Sequence, residues 1–220
     1  GVPSGTDIEA WVTSDGTEPV IDPAAAARRA RAAALIMLGL PGTAFVYQGE
    51  ELGLPEDFDL RPEELQDPIW ERGRHTFKGR DGCRVPLPWT GDRETAYGFS
   101  GSGKSWLPQP AWFADYAACL QSDDVNSSLN MYRKAIDLRR CMVRCGDDAA
   151  LEWLDPDLCG DDGFGWKLPS GMMVLANFSA VHALTLPSEA KMLLCSRADD
   201  DHNADSHQVP PESTVWYICR

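Results

Sequence analysis

Apolar and polar positions along the chain change texture three times. Residues 1–21 are rich in glycine, threonine and acids and predict a loop. Asp22 followed by Pro23 is a helix start, a capping carboxylate ahead of proline at the first helical position. The alanine-rich run 24–40 then puts Ala30, Ala34, Met37 and Leu38 on one face, with Arg28, Arg29 and Arg31 nearby, and Pro41-Gly42 stops it. Next come Thr43-Ala44-Phe45-Val46-Tyr47, a short apolar run that predicts a fully buried parallel strand. It breaks into polar Gln48-Gly49-Glu50-Glu51. Helix, buried strand and polar loop form the repeat of an α/β barrel or a doubly wound sheet, and chemistry sits at that loop end.

Periodicity disappears over residues 54–110, which are dense in proline, glycine, tryptophan and charge. A loop of that length inside a compact domain usually serves function. It returns at about 127–142, where Leu129, Tyr132, Ile136 and Val143 mark one helical face. Arg133, Lys134, Arg139 and Arg140 fall toward the C-terminal end, where the helix dipole favours cations. Beyond Gly146-Asp147-Asp148 the apolar runs become short: 151–154, 164–168, 172–178, 183–186, 192–195 and 215–219, separated by turn formers. They predict a small antiparallel sandwich. The expected fold is thus α/β followed by all-β, with residues 1–145 as one domain and 146–220 as the second.

Composition narrows the partners. A chain of 220 residues holds one large domain or two small ones. Its formal net charge of −14 argues against nucleic acid and anionic membranes, which need clustered cations, and suits neutral ligands such as sugars. No apolar run approaches a membrane span. The seven cysteines include no Cys-x-x-Cys pair, so reduced thiols and a cytoplasmic setting are expected. Asn126-Ser127-Ser128 and Asn177-Phe178-Ser179 fit the glycosylation triplet, which is short enough to arise by chance. The acidic stretch 199–207 contains two histidines but predicts a solvated loop rather than a metal site, and no metal or cofactor is expected.

Five segments carry more. They are Leu40-Pro41-Gly42-Thr43-Ala44-Phe45-Val46-Tyr47-Gln48-Gly49-Glu50-Glu51-Leu52-Gly53, Gln66-Asp67-Pro68, Arg80-Asp81-Gly82-Cys83-Arg84-Val85-Pro86-Leu87-Pro88-Trp89, Lys104-Ser105-Trp106-Leu107-Pro108 and Leu129-Asn130-Met131-Tyr132-Arg133-Lys134. In this order they resemble the last part of the catalytic barrel of an α-glucosidase of the α-amylase-type glycoside hydrolase family. The resemblance implies the terminal part of a (β/α)8 TIM barrel plus a C-terminal antiparallel β-sandwich. It further implies a retaining enzyme that removes terminal non-reducing α-linked glucose from oligosaccharides, using two carboxylates about 5–5.5 Å apart. In that family the nucleophile, the acid/base and a third, stabilising aspartate lie upstream of the position of Tyr47, the third in an Asn-His-Asp motif absent here. No catalytic residue is therefore assigned, and the isolated chain is expected to be inactive.

The same resemblance makes Arg84 the arginine that hydrogen-bonds glucose hydroxyls, a role suited to a rigid, always charged donor fork. A salt-bridged loop arginine is the alternative. Asp81 and Arg80 would orient that loop. Glu50 would face the next sugar subsite or hold its own loop together, and Glu51 is structural. Trp106, Trp112 and Phe113 could line a sugar platform or pack the loop. Two rival functions remain. One is a truncated, non-catalytic remnant that binds sugars or partners. The other is a P-loop nucleotide hydrolase, because Gly98-Phe99-Ser100-Gly101-Ser102-Gly103-Lys104-Ser105 fits that pattern. The mechanism needs a strand before that motif and a helix after it, which Pro108 and Pro110 disfavour.

Overall fold

The computed structural model describes residues 22–143, 150–197 and 207–219. In chain order the helices are α1 (Pro23–Gly39), α2 (Pro68–Arg72), α3 (Ala118–Asp123), α4 (Ser128–Met142) and α5 (Pro156–Cys159). The strands are β1 (Glu152–Trp153), β2 (Gly163–Lys167), β3 (Met173–Asn177), β4 (Leu184–Thr185), β5 (Ala190–Cys195), β6 (Gln208–Val209) and β7 (Ser213–Cys219). Two compact units result: residues 46–125 form one, and residues 24–45 join those from 126 onward in the other. Among the described residues no helix is long and apolar enough to cross a membrane.

The second unit is organised by an antiparallel sheet in the order β1-β2-β3-β7-β5, with a two-stranded sheet β4-β6 beside it. Alternation along the strands splits the side chains between two cores. Val174, Trp166, Leu194 and Trp216 face α1 and α4, meeting Ala34, Leu35, Leu38, Met131, Tyr132 and Ala135. Met173, Leu175, Met192, Val215 and Tyr217 face the other way, onto Leu186 and Val209 from the small sheet. Burial on both faces is why the runs in this part of the chain are nearly continuous in apolar residues. All six predicted apolar runs coincide with strands, and the short β6 is the one addition.

The C-terminal end of α1 is bonded by side chains from the sheet and from α4. A helix leaves its last carbonyls without intrahelical donors, and burial would make that costly. Here Trp166 Nε1 donates to Gly39 O at 3.2 Å and Trp216 Nε1 donates to Leu35 O at 3.0 Å. Arg139 on α4 donates to the carbonyls of Leu38, Leu40 and Gly42. Gly39 has to be small: a Cβ there would lie 2.8 Å from Val174 Cγ2 and 3.2 Å from Trp216 Nε1. Arg139 therefore serves the end of α1 as well as lying near the end of its own helix, where the sequence placed it.

The N-terminal half of α1 is fastened by charge. Glu212, in the turn before β7 with φ +50, accepts from Arg28 Nε at 3.1 Å and from Arg29 Nε at 2.6 Å. Burial raises the carboxyl's pKa, but the two guanidiniums outweigh that and hold it below the ordinary glutamate value. Arg31 is buried, with Nε donating to Ser196 O at 2.6 Å. The predicted face of α1 is thereby corrected: Ala30 is exposed, while Ala25, Arg31, Ala32, Leu35 and Gly39 are buried with Ala34 and Leu38. On α4 the buried positions are Met131, Tyr132 and Ala135 rather than Leu129 and Ile136, which are half-buried.

Two further expectations resolve. Residues 43–47 do not form a strand, and Phe45 is 79% exposed. A parallel strand exists through its neighbours' hydrogen bonds, and both sheets among the described residues are antiparallel and built elsewhere. Asn177, the acceptor of one glycosylation triplet, is buried. Its Nδ2 donates to the carbonyls of His182, Val209 and Pro210, and its Oδ1 accepts from Ser179 N. In the folded chain it is a structural residue closed to modification. The acidic stretch 199–206 lies outside the described residues.

Two outcomes follow for stability. Arg139→Ala should lower unfolding free energy by about 1.5–3 kcal/mol, the value of charge-assisted hydrogen bonds, with Arg139→Lys between it and the parent in urea denaturation. Because the folded Glu212 carboxyl lies below its unfolded value, its contribution is present above the ordinary glutamate range and fades as pH falls through the folded value. Urea midpoints of Glu212→Gln should thus fall well below the parent's at neutral pH and converge with them on acidification.

Candidate functional site

The candidate site lies in the unit of residues 46–125, on loops rather than on regular elements. The first loop turns at Gly49 (φ 90) and Gly53 (φ 61), which bracket a 3-10 turn, Glu50–Leu52. Glu51 Oε2 accepts from Gly49 N at 2.9 Å and so holds this loop's own backbone, as the sequence suggests. Gln48 Nε2 donates across to the carbonyls of Cys83 and Val85, at 3.3 and 3.4 Å. Burial, followed by the nearby Cys83 side chain, raises the pKa of the Tyr47 phenol. The loop ending in Glu50 is thus tied to the loop carrying Arg84.

That second loop is built around a buried carboxylate. Asp81 opens a 3-10 turn, Asp81–Cys83, and is 1% exposed. Its Oδ2 accepts from the backbone N–H groups of Gln66 and Asp67 at 2.6 and 2.8 Å, while Oδ1 takes Arg84 Nη2 at 2.5 Å. Gly82 cannot carry a side chain, since a Cβ would come within 2.4 Å of Asp57 O. Asp67 caps α2 through Ile69 N at 3.1 Å and accepts from Arg80 N at 3.2 Å and Arg84 Nη2 at 3.3 Å. The Ile69 N–H leads in holding its carboxyl below the ordinary aspartate value; burial opposes this, and Arg80 and Arg84 add to the lowering.

Arg84 is therefore salt-bridged and half-exposed at the same time: its side chain keeps 31% of its surface open. Its guanidinium carbon lies 5.8 Å from the centroid of the Trp106 ring, within cation–π range. Asp81 and Asp67 fix the guanidinium and leave donor capacity on an accessible edge, which is what recognition of hydroxyl groups needs. The two readings of Arg84 made from the sequence do not exclude one another.

The structure brings Arg80, Asp81 and Arg84 together and adds Asp67, which sequence reasoning did not single out. Its signal was present, an aspartate before Pro68 at a helix start. Arg80 is mostly exposed, with Nε 3.8 Å from Asp67 Oδ2. Glu50 is exposed, and its carboxylate makes no hydrogen bond among the described residues. Of the three aromatics, Phe113 is buried and Trp112 packs edge-on to it at 4.8 Å, so both serve the loop's core with Leu60, Val85, Tyr97 and Leu107. Trp106 alone of them is exposed, at 45%. Residues 98–105 lie in turns, with no strand before and no α-helix directly after, so the phosphate cradle of a P-loop is not formed.

Comparison with known proteins agrees with this pattern. The family profile "Alpha amylase, catalytic domain" matches residues 18–145. A probable α-glucosidase of Rhizobium meliloti is 40% identical over 111 residues, 50% of this chain and 19% of the relative. An oligo-1,6-glucosidase of Parageobacillus thermoglucosidasius is 28% identical over 218 residues, 81% of this chain and 36% of the relative. The chain thus spans about a fifth to just over a third of the length of these relatives. Among solved structures, the α-glucosyl transfer enzyme XgtA superposes with TM-score 0.65 and 29% identity, covering 96% of this chain and 38% of that one. Isomaltulose synthase SmuA from Protaminobacter rubrum shares the fold with TM-score 0.64 at 21% identity, covering 88% and 38%. With more than half of its length matched by the family profile, this chain belongs to the α-amylase catalytic domain family.

Proposed function

We propose that this chain is the C-terminal part of a retaining α-glucosidase that removes terminal non-reducing α-linked glucose from oligosaccharides. Within it, residues 1–145 belong to the (β/α)8 catalytic barrel and 146–220 to the β domain. The observation that carries the reading is Arg84: its Nη2 is held by Asp81 and Asp67, while 31% of the side chain stays exposed beside an exposed tryptophan. Arg84 binds the glucose hydroxyls, Asp81 and Arg80 orient it, and Glu50 faces the neighbouring sugar. The ligand is a neutral α-glucoside, in keeping with a net charge of −14. No cofactor is assigned.

The nucleophile and the general acid/base belong to a preceding segment of a longer polypeptide, so the isolated chain binds without turning over. Half of an active site cannot hold reacting groups in register. A cytoplasmic setting is part of the same proposal, supported by the free thiols of Cys83, Cys119, Cys141, Cys159 and Cys219.

The test uses the natural polypeptide containing this segment, identified by mass spectrometry, and follows glucose release from maltose and isomaltose. A polypeptide much larger than 220 residues that releases glucose is expected, with the 220-residue chain inactive. Arg84→Ala should lower kcat/KM by about a hundredfold or more, the loss of charge-assisted bonds to substrate, and Arg84→Lys should recover little. No glucose release, or an Arg84→Ala enzyme within about twofold of the parent, would reject the assignment.

A further inference from the structure

Four contacts around Arg84 close into a ring that runs through two residues outside the charged cluster. Arg84 Nη2 bonds Asp81 Oδ1 at 2.5 Å. Asp81 Oδ2 accepts from the backbone N–H of Gln66 at 2.6 Å. The Gln66 side chain then donates through Nε2 to the Trp106 carbonyl at 2.8 Å. The ring of Trp106 lies beneath the Arg84 guanidinium, 5.8 Å from its carbon. Three of the four links join residues 15 to 40 positions apart, so the ring ties separate loops together.

The chemistry explains why a tryptophan is needed. Arg84 Nε is buried and has no hydrogen-bond acceptor. An uncompensated N–H is costly against an ordinary apolar wall. The electron-rich face of an indole lowers that cost, because it attracts the guanidinium as a whole without demanding a particular N–H direction. Asp81 and Asp67 engage one nitrogen, Nη2, and so hold that corner of the guanidinium without touching Nε. The flat ring removes the remaining freedom.

We propose that Trp106 and Gln66 are positioning residues for Arg84: the ring sets the plane of the guanidinium, and Gln66 sets the ring by tying its backbone to the Asp81 loop. The kinetic consequence rests on Arg84 acting as a sugar contact, but the positioning itself does not. Trp106 does not need to touch the sugar to matter. Its effect passes through Arg84, which separates it from a simple stacking platform.

Two measurements on the natural polypeptide decide it. In the first, NMR follows the Arg84 Nε–Hε resonance, assigned by its loss in Arg84→Lys. An ordered, ring-shifted signal is expected in the parent and in Trp106→Phe, and a mobile signal at an ordinary shift in Trp106→Ala and Gln66→Ala. Persistence of the ordered signal in both alanine variants would overturn the proposal, whether or not the protein cleaves glucosides. In the second, a double-mutant cycle reads glucose release: Trp106→Ala alone should cost about tenfold or more in kcat/KM, Trp106→Phe about threefold or less. In an Arg84→Ala background, Trp106→Ala should cost less than about twofold, since its route of action is already gone. Multiplying losses would mean that Trp106 acts directly on substrate or on the fold, and would also overturn it. Loss of Arg84 without kinetic effect would instead reject the sugar contact and leave the NMR result to judge the positioning.

Discussion

The helix–sheet unit depends on how the C-terminal carbonyls of α1 are satisfied. An alanine-rich helix has little side-chain bulk with which to specify its own position, and its hydrophobic contribution per residue is small. What fixes it is direct bonding of its backbone by donors from two other places. The indoles of Trp166 and Trp216 arrive from the sheet, and the guanidinium of Arg139 arrives from α4. The two buried indoles fill the core and answer a carbonyl in one side chain, while the half-buried Arg139 answers carbonyls with its guanidinium. Glu212 completes the arrangement by holding Arg28 and Arg29 nearer the start of the helix. Gly39 is then a requirement, since a Cβ there would meet Val174 and the sheet's two tryptophans.

The candidate site uses the opposite strategy. With no sheet or long helix to place its residues, the unit of residues 46–125 relies on a buried aspartate as a hub. Asp81 collects two backbone N–H groups from the segment before α2 and one guanidinium from its own loop. A buried carboxylate is tolerable only when its lone pairs are taken up in this way. The cluster therefore converts a costly group into a fixed reference point from which Arg84 projects. Beneath it, Leu60, Val85, Tyr97, Leu107 and Phe113 supply the apolar support that loops usually lack.

Legibility in the sequence followed the range of the interaction. The β runs were readable because turn formers punctuate them and their apolar content survives burial on both faces. Helix limits were readable from Pro23 and from Ser127, whose hydroxyl accepts from Asn130 N. The buried face of α1 was not, because alanine carries almost no pattern and Arg31 is inside. The double service of Arg139 was hidden as well, since its acceptors lie about a hundred residues away. In the site, Arg80, Asp81 and Arg84 were found by motif, whereas Asp67 stood in the Gln66-Asp67-Pro68 segment without a role, although it caps α2. Its Oδ1 makes the cap, and its Oδ2 takes Arg80 N and Arg84 Nη2. Residues 43–47 mark the other limit: the composition of a strand does not make one without partner strands, and none of the described strands lies beside them.

The electrostatics of the cluster also bear on what kind of site it is. A general acid needs a carboxyl pushed upward, by burial without compensation or by a neighbouring carboxylate. Asp67 moves in the other direction, with N–H donors and two arginines holding it ionised. Asp81 has both oxygens occupied by fixed donors and no open face toward solvent. Both carboxylates are committed to bonds that shape the loop. Glu56 and Asp57, whose carboxyls burial raises, differ in this respect, but Asp57 N is committed to Gly82 O and its Oδ1 to Asp59 N within the loop framework. The bonded carboxylates Asp67 and Asp81 thus serve to hold the loops and Arg84 in place.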